Sequence, residues 1–301
     1  MAVIIDGKAV SDRIKSEIAL ENKKLMDDIG VMPGLAVIIV GNDSASKIYV
    51  SNKIKACEKV GFYSEKIQLS EKISQKELVA RIEELNNRVD IDGILVQLPL
   101  PKHISEKVVL GKIDPRKDVD CFSPFNVGRI TINDYRFLPC TPAGVMELLK
   151  ETGVELAGKN CVVIGRSNIV GKPMAMMLIN ESATVTVCHS KTVNLPEITS
   201  KADILISAVG KPKFVTADMV KDGAIVIDVG INHDENGKLC GDVDFNAVEP
   251  KAGYITPVPG GVGPMTIAML MKNTIMAAKA NAILNVKSAG KTKAAKSKSD
   301  K

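Results

Sequence analysis

Two runs of short apolar strands alternating with helical stretches, one before Pro99 and one after Asn160, constrain this chain more than any other feature. Strand, helix, strand in repetition gives a parallel sheet, because the helix must carry the chain back to the edge where the last strand began. In the first run, Val10, Ile14, Ile18 and Leu25 recur at helical steps and predict a helix from Gly7 to Ile29, ended by Gly30. A buried strand is expected at Leu35 to Val40 and a helix at Ser44 to Val60, stopped by Gly61. Ser74 and Glu77 form a capping box that opens a helix carrying Leu78, Ile82 and Leu85, and a strand follows at Ile91 to Gln97. The second run predicts strands at 160–164, 184–188, 204–207 and 224–228, with a helix to Asn180 after the first of them. The fold class expected is α/β, with two doubly wound domains around a cleft and the C-terminal one of Rossmann type.

Between the runs, Pro99 to Pro142 reads as polar and Pro-rich loop with one short helical stretch, Ser105 to Leu110. Thr141 is expected to cap a helix through Leu148 with Pro142 at its first position. A last helix, Pro264 to Leu284, has no strand after it and is expected to pack back on the first domain. The domains expected are therefore 1–140 with 264–285, 141–263, and a Lys-rich tail, 286–301. From Lys287 onward there are six Lys and one Asp, so residues 1–286 carry 34 basic and 34 acidic side chains. The net charge of +5 thus belongs to the tail, and the body lacks the basic patch that nucleic acid requires. The tail has too little apolar surface to offset its ordering entropy and is expected to be disordered; an anion-binding arm is its functional alternative. Six scattered Cys with no metal-ligand spacing fit a reducing compartment and no metal. The opening MAVIIDGKAV is too short an apolar run for a signal core and no later run would span a membrane, so the expected location is cytoplasmic.

The strand at 160–164 runs into Gly165-Arg-Ser-Asn-Ile-Val-Gly171 and then a helix, the order that sets backbone N–H groups and a helix N-terminus against a pyrophosphate. Glycine turns after strands also serve packing alone. The next strand separates the cofactors. An NAD site carries a carboxylate at its end for the ribose hydroxyl, whereas here it ends Cys188-His189-Ser190-Lys191-Thr192 with no acid. Ser190 as donor with Arg166 and Lys191 as candidate cations suits a ribose phosphate, which makes NADP the expected cofactor. The alternative is that these are ordinary exposed loop residues.

Tyr49 and Lys53 lie four residues apart and so project from one helix face. A Lys can act as a base only as the neutral amine. Alone the pair is weak, since most such pairs are a solvated helix face. Short-chain dehydrogenases also use Y-x-x-x-K, but there it follows the glycine loop, and here it precedes it. Gln97 sits at the carboxyl edge of its strand, where ligands bind in open α/β sheets, and Asp118-Val-Asp120 lies in the loop beyond. Competing readings are a Rossmann dehydrogenase of a small hydroxy or amino acid, and a small-molecule- or nucleotide-binding protein without catalysis.

Six segments carry a resemblance: Ala45 to Lys53 (ASKIYVSNK), Val96 to Pro101 (VQLPLP), Lys117 to Asp120 (KDVD), Pro139 to Pro142 (PCTP), Gly165 to Pro173 (GRSNIVGKP) and Pro257 to Thr266 (PVPGGVGPMT). Over residues 1 to about 285 the chain resembles the bacterial bifunctional methylenetetrahydrofolate dehydrogenase/methenyltetrahydrofolate cyclohydrolase family. It departs from it at Cys121, where the family usually has Gly. The resemblance implies NADP-dependent oxidation of a folate substrate followed by hydrolysis of the product, in a homodimer. It implies Lys53 as the catalytic group, supported by Gln97, with Tyr49 stacking on or orienting the folate and Asp120 bonding the pterin. Val96, Gln97, Leu98, Pro259, Gly260 and Gly261 would line the folate pocket. Gly165, Arg166, Ser167, Ile169, Gly171, Ser190 and Ile231 would hold the cofactor.

Overall fold

In the computed structural model the chain folds as β1 (Val3–Ile4), α1 (Gly7–Ile29), β2 (Gly34–Val40), α2 (Ser44–Val60), β3 (Tyr63–Leu69), α3 (Gln75–Asn87), β4 (Gly93–Val96), α4 (Glu106–Leu110), α5 (Pro124–Thr131) and α6 (Cys140–Glu151). There follow β5 (Asn160–Ile164), α7 (Gly171–Asn180), β6 (Thr184–Cys188), α8 (Leu195–Thr199), β7 (Ile204–Ser207), β8 (Ile225–Asp228), β9 (Asn232–His233), β10 (Leu239–Cys240), α9 (Phe245–Val248), β11 (Tyr254–Ile255) and α10 (Val262–Ser299). Residues 1–299 are described, without the side chains of Ala45 and 285–299; α10, expected to end at Leu284, continues to Ser299, so the backbone of 286–299 is helical where a disordered tail was expected.

Contacts divide the chain into two compact units, Lys15–Ser123 with Leu270–Lys301, and Met1–Ile14 with Pro124–Met269. The first holds a three-stranded parallel sheet in the order β3-β2-β4. Every residue of β2 is buried. Ala36, Ile38 and Val40 pack in one core with Leu78, Ile82 and Leu85 of α3, while Leu35, Val37 and Ile39 are buried on the opposite face. A strand covered on both faces cannot show polar alternation, which is why β2 reads as a continuous apolar run. Helix α2 starts at Asp43, whose carboxylate accepts from Ser46 N at 2.7 Å, and stops at Gly61 in the left-handed region at φ 76°. The capping box of α3 is present, with Ser74 and Glu77 each bonded to the other's backbone.

The second unit holds a six-stranded sheet, β1-β11-β8-β7-β5-β6, in which every pairing is parallel. The order turns at β5, with β6 on one side and β7 on the other, so the crevice beyond their carboxyl ends is the topological switch point. Residues 1–14, expected with the first domain, belong here because Val3 and Ile4 pair with Tyr254 and Ile255.

Several elements differ from expectation. Strand β3 is not foreshadowed because it is a sheet edge that buries only Ile67. Helix α5 interrupts the long polar loop with Ile130 and Asn126 buried. Helix α6 begins at Cys140 rather than after Thr141, so Pro142 lies inside its first turn, where a missing N–H costs nothing because those groups have no intrahelical partner. Thr141 Oγ1 instead meets Thr266 Oγ1 at 2.9 Å.

Candidate active site

In the unit built on β2, helix α2 lays Val50, Ala56, Cys57 and Val60 against the sheet, and Lys53 is carried down with them to 8% exposure. Its Nζ donates to Gln97 Oε1 at 3.0 Å, while Gln97 Nε2 donates to the Leu98 carbonyl at 2.7 Å. The second bond fixes which end of the amide faces the amine. Gln97 N donates to Ile38 O at 2.8 Å, so the residue is anchored at the carboxyl edge of the sheet by its backbone as well. Tyr49, one turn before Lys53, is 37% exposed, and partial burial raises its phenol above the ordinary value, which keeps it a hydroxyl donor at neutral pH. Val96 is buried at the end of β4 and Leu98 is half-buried beyond it, leaving their peptide groups at the strand edge.

Asp120 closes a segment that runs beside β4. Ile94 N donates to Lys117 O at 2.8 Å, and a side chain at Gly93 would meet both γ-carbons of Val119 at 2.9 Å. Asp118 is buried and accepts from Phe122 N at 3.1 Å and Ser123 N at 2.9 Å, which turns the chain sharply after Asp120. At the turn, Cys121 takes φ 59°, a left-handed conformation that costs a non-glycine residue roughly 1 kcal/mol or more. The thiol is fully buried, and burial, with the charges of Asp118 and Asp120, pushes its pKa well above the ordinary range, so it is inert.

The other unit presents backbone at a glycine turn, with a few polar side chains around it. Gly165 ends β5 at φ 128°, and a Cβ there would lie 2.4 Å from the Ala208 carbonyl; one at Gly171 would lie 2.2 Å from the Gly165 carbonyl. The two glycines thus make one close-packed turn six residues apart, and the usual G-x-G-x-x-G spacing is unnecessary. Ser167 Oγ accepts from Val170 N at 3.1 Å and Gly171 N at 3.3 Å, so it orders the turn and keeps its own hydrogen to donate. Arg166, Ile169 and Ser190 are exposed. A tight turn holds Ser190 at the end of β6: Thr192 N donates to His189 O at 2.8 Å and His189 N to Thr192 Oγ1 at 2.8 Å. A cradle that a Cβ would fill, a hydroxyl and a guanidinium with no acid between 188 and 192 fit a dinucleotide bearing a ribose phosphate. Ile231, 44% exposed, follows the turn after β8. Pro259, Gly260 and Gly261 lie in this same unit, where Gly260 O accepts from Lys8 N at 2.9 Å.

Sequence reasoning passed over two buried carboxylates beside that turn, Asp228 and Asp242, at 3% and 0% exposure. Burial pushes the Asp228 carboxyl up to about 6, against the lowering effect of backbone bonds from Val243, Asp242 and Gly230, with the charge of Asp242 adding to the rise. The available signal was a pair of acids, each next to a glycine-containing turn, in Asp228-Val-Gly230 and Gly241-Asp242.

Residues 5–120 match the family described as tetrahydrofolate dehydrogenase/cyclohydrolase, catalytic domain, and residues 139–282 match its NAD(P)-binding domain. The bifunctional protein FolD of Bacillus cereus is 58% identical over 279 residues, covering 93% of this chain and 97% of that protein. The crystal structure of the bifunctional FolD enzyme from Campylobacter jejuni aligns with a TM-score of 0.90 at 52% identity, covering 93% of this chain and 99% of that one. The Trypanosoma brucei enzyme, solved with NADP cofactor and inhibitor, aligns with a TM-score of 0.89 at 44% identity, covering 92% and 97%.

Proposed function

The chain belongs to the tetrahydrofolate dehydrogenase/cyclohydrolase family, and on that premise we propose that Lys53, held by Gln97, carries the hydrolytic step while the Gly165–Gly171 turn seats the nucleotide. The protein is a bifunctional enzyme of one-carbon metabolism. With NADP it oxidises 5,10-methylenetetrahydrofolate to 5,10-methenyltetrahydrofolate, and it hydrolyses that product to 10-formyltetrahydrofolate.

NADP, when bound, supplies the hydride acceptor. The protein's part in that step is positioning. The Gly165 and Gly171 backbone admits the pyrophosphate, Ser190 and Arg166 take the ribose phosphate, Ser167 donates its hydroxyl hydrogen, and Ile169 and Ile231 flank the dinucleotide. On the folate side, Tyr49 packs on the ring system and Asp120 accepts from the pterin. The peptide groups of Val96 to Leu98 line the substrate. The folate site is assigned to the unit that holds Lys15–Ser123 and the nucleotide site to the unit that holds Pro124–Met269. In support, Lys53, Gln97 and Asp120 share one compact unit and the glycine turn lies in the other.

Hydrolysis adds water to the cationic methenyl carbon. Of that water's two protons one ends on the ring nitrogen as its bond to carbon breaks and the other leaves to solvent, while the oxygen stays as the formyl carbonyl. An amine pinned through one N–H to Gln97 Oε1 can take the first proton and deliver it to the nitrogen. Arg could not replace it, because it stays charged. The observation that carries this reading is the 3.0 Å bond from a nearly buried Lys to an amide whose other end is already committed. It is tested by following the methenyl chromophore with purified protein, in oxidation with NADP and in hydrolysis without it. Loss of hydrolysis alone in Lys53→Met supports the assignment, and full hydrolysis by that variant refutes it.

The family resemblance supports a homodimer, which light scattering checks. Among the described residues no helix is long and apolar enough to cross a membrane. With scattered cysteines and a neutral body, a cytoplasmic location and no nucleic-acid partner are the readings we favour.

A further inference from the structure

Four hydrogen-bond donors from two separate chain segments converge on one buried side chain. Asp242 Oδ2 accepts from Val209 N at 2.7 Å and Ser207 Oγ at 3.2 Å, and Oδ1 accepts from Lys211 N and Asn232 Nδ2, both at 2.9 Å. The segment 207–211 leaves the end of β7 and includes Ala208, whose carbonyl limits Gly165 to a glycine. Asn232 directly follows Ile231. Asp242 is itself held from below, since its own N–H and that of Val243 donate to the two oxygens of Asp228 at 3.0 and 2.8 Å. The packing leaves no slack. A Cβ at Gly230 would lie 2.3 Å from Asp242 Oδ1, and one at Gly241 would lie 1.9 Å from Asp228 Oδ2.

We propose that Asp242 is a positioning residue for the nucleotide: its carboxylate clamps the 207–211 segment to the 230–232 segment at the switch-point edge of the sheet. The inference rests on the reading that the Gly165 turn and Ile231 contact NADP. A carboxylate is required because two donors face each oxygen, and an amide would set its NH2 against two of them. The clamp acts through backbone, so its removal should weaken nucleotide binding while leaving chemistry that needs no nucleotide.

The test compares the full-length protein with Asp242→Asn and the milder Asn232→Ala, which removes one of the four donors. KM for NADP, kcat of oxidation, and the nucleotide-free hydrolysis of methenyltetrahydrofolate are measured for each. Asp242→Asn is expected to raise KM for NADP roughly tenfold or more, since it leaves buried donors facing an NH2, and Asn232→Ala about threefold, since it leaves one carboxylate oxygen short of a donor. Hydrolysis should stay within about twofold, because interactions used only in nucleotide binding do not enter that rate. An unchanged KM for NADP in folded Asp242→Asn overturns the proposal. So does hydrolysis falling in step with oxidation, which would mean a general fold support. If Asp242→Asn does not fold, Asn232→Ala decides on the same two readings. A wild-type protein that binds NADP weakly or not at all would sink the cofactor assignment itself, which separates that failure from failure of the clamp alone.

Discussion

Around Lys53 the working atoms are side-chain atoms: an amine on α2, an amide just past β4 and a carboxylate in a loop, all within one compact unit. Around Gly165 they are backbone atoms, and the sequence contributes by omitting side chains at two positions and an acid at the end of β6. The first kind of site tolerates movement of the backbone poorly only where a named atom must be reached. The second tolerates no added atom at all. Substitutions in one should therefore spare the activity that lives in the other.

The largest expected effect is Lys53→Met, which should reduce methenyl hydrolysis by roughly 10²–10⁴-fold, the range of general acid–base contributions, with NADP-dependent oxidation still measurable. Equal loss of both activities would break the comparison. Next, Gly171→Ala forces a Cβ into the Gly165 carbonyl, so KM for NADP should rise by roughly tenfold to a hundredfold with hydrolysis retained. Ser190→Asp sharpens the contrast further, since a carboxylate beside a ribose phosphate repels it. The ratio of NADP to NAD efficiency should fall about tenfold or more in parallel assays. Gln97→Ala removes a single bond from Lys53, and hydrolysis should slow about fivefold to tenfold, the value of one hydrogen bond.

The smallest effect is on stability. The folded Asp228 carboxyl titrates at about 6 against an ordinary value of 3.8, so the folded state binds the proton more tightly and loses stability as pH rises between those values. From pH 5 to pH 6 the group should cost about 1 kcal/mol, seen as a lower denaturant midpoint at pH 6. Asp228→Asn, which cannot titrate, should show less of this slope than the wild type; an identical slope would show that Asp228 is not its source.

Much of the nucleotide unit was legible because its signals are local. Strands 160–164, 184–188 and 204–207 occur at the expected residues, and the glycine turn lies between β5 and α7. The sites are less legible where partners are distant. Lys53 and Gln97 were each singled out, but spacing could not show that they bond across 44 residues. Strand β3 escaped notice because an exposed edge needs no apolar alternation. The N-terminal strand was not expected, and its residues were placed with the first unit, because two residues carry no record of their partner.

By itself the sequence determined the stops of α1 and α2, the capping box of α3, the parallel character of the two larger sheets, and the absence of an acid where a ribose hydroxyl would need one. All of these depend on residues within a few positions of each other, where backbone sterics and capping act directly. Tertiary structure alone decided that Lys53 is buried, that Cys121 occupies a left-handed turn, and that Asp242 gathers four donors from two segments. Burial and convergence follow from which distant segments pack together, and that is settled by the whole core rather than by any local pattern.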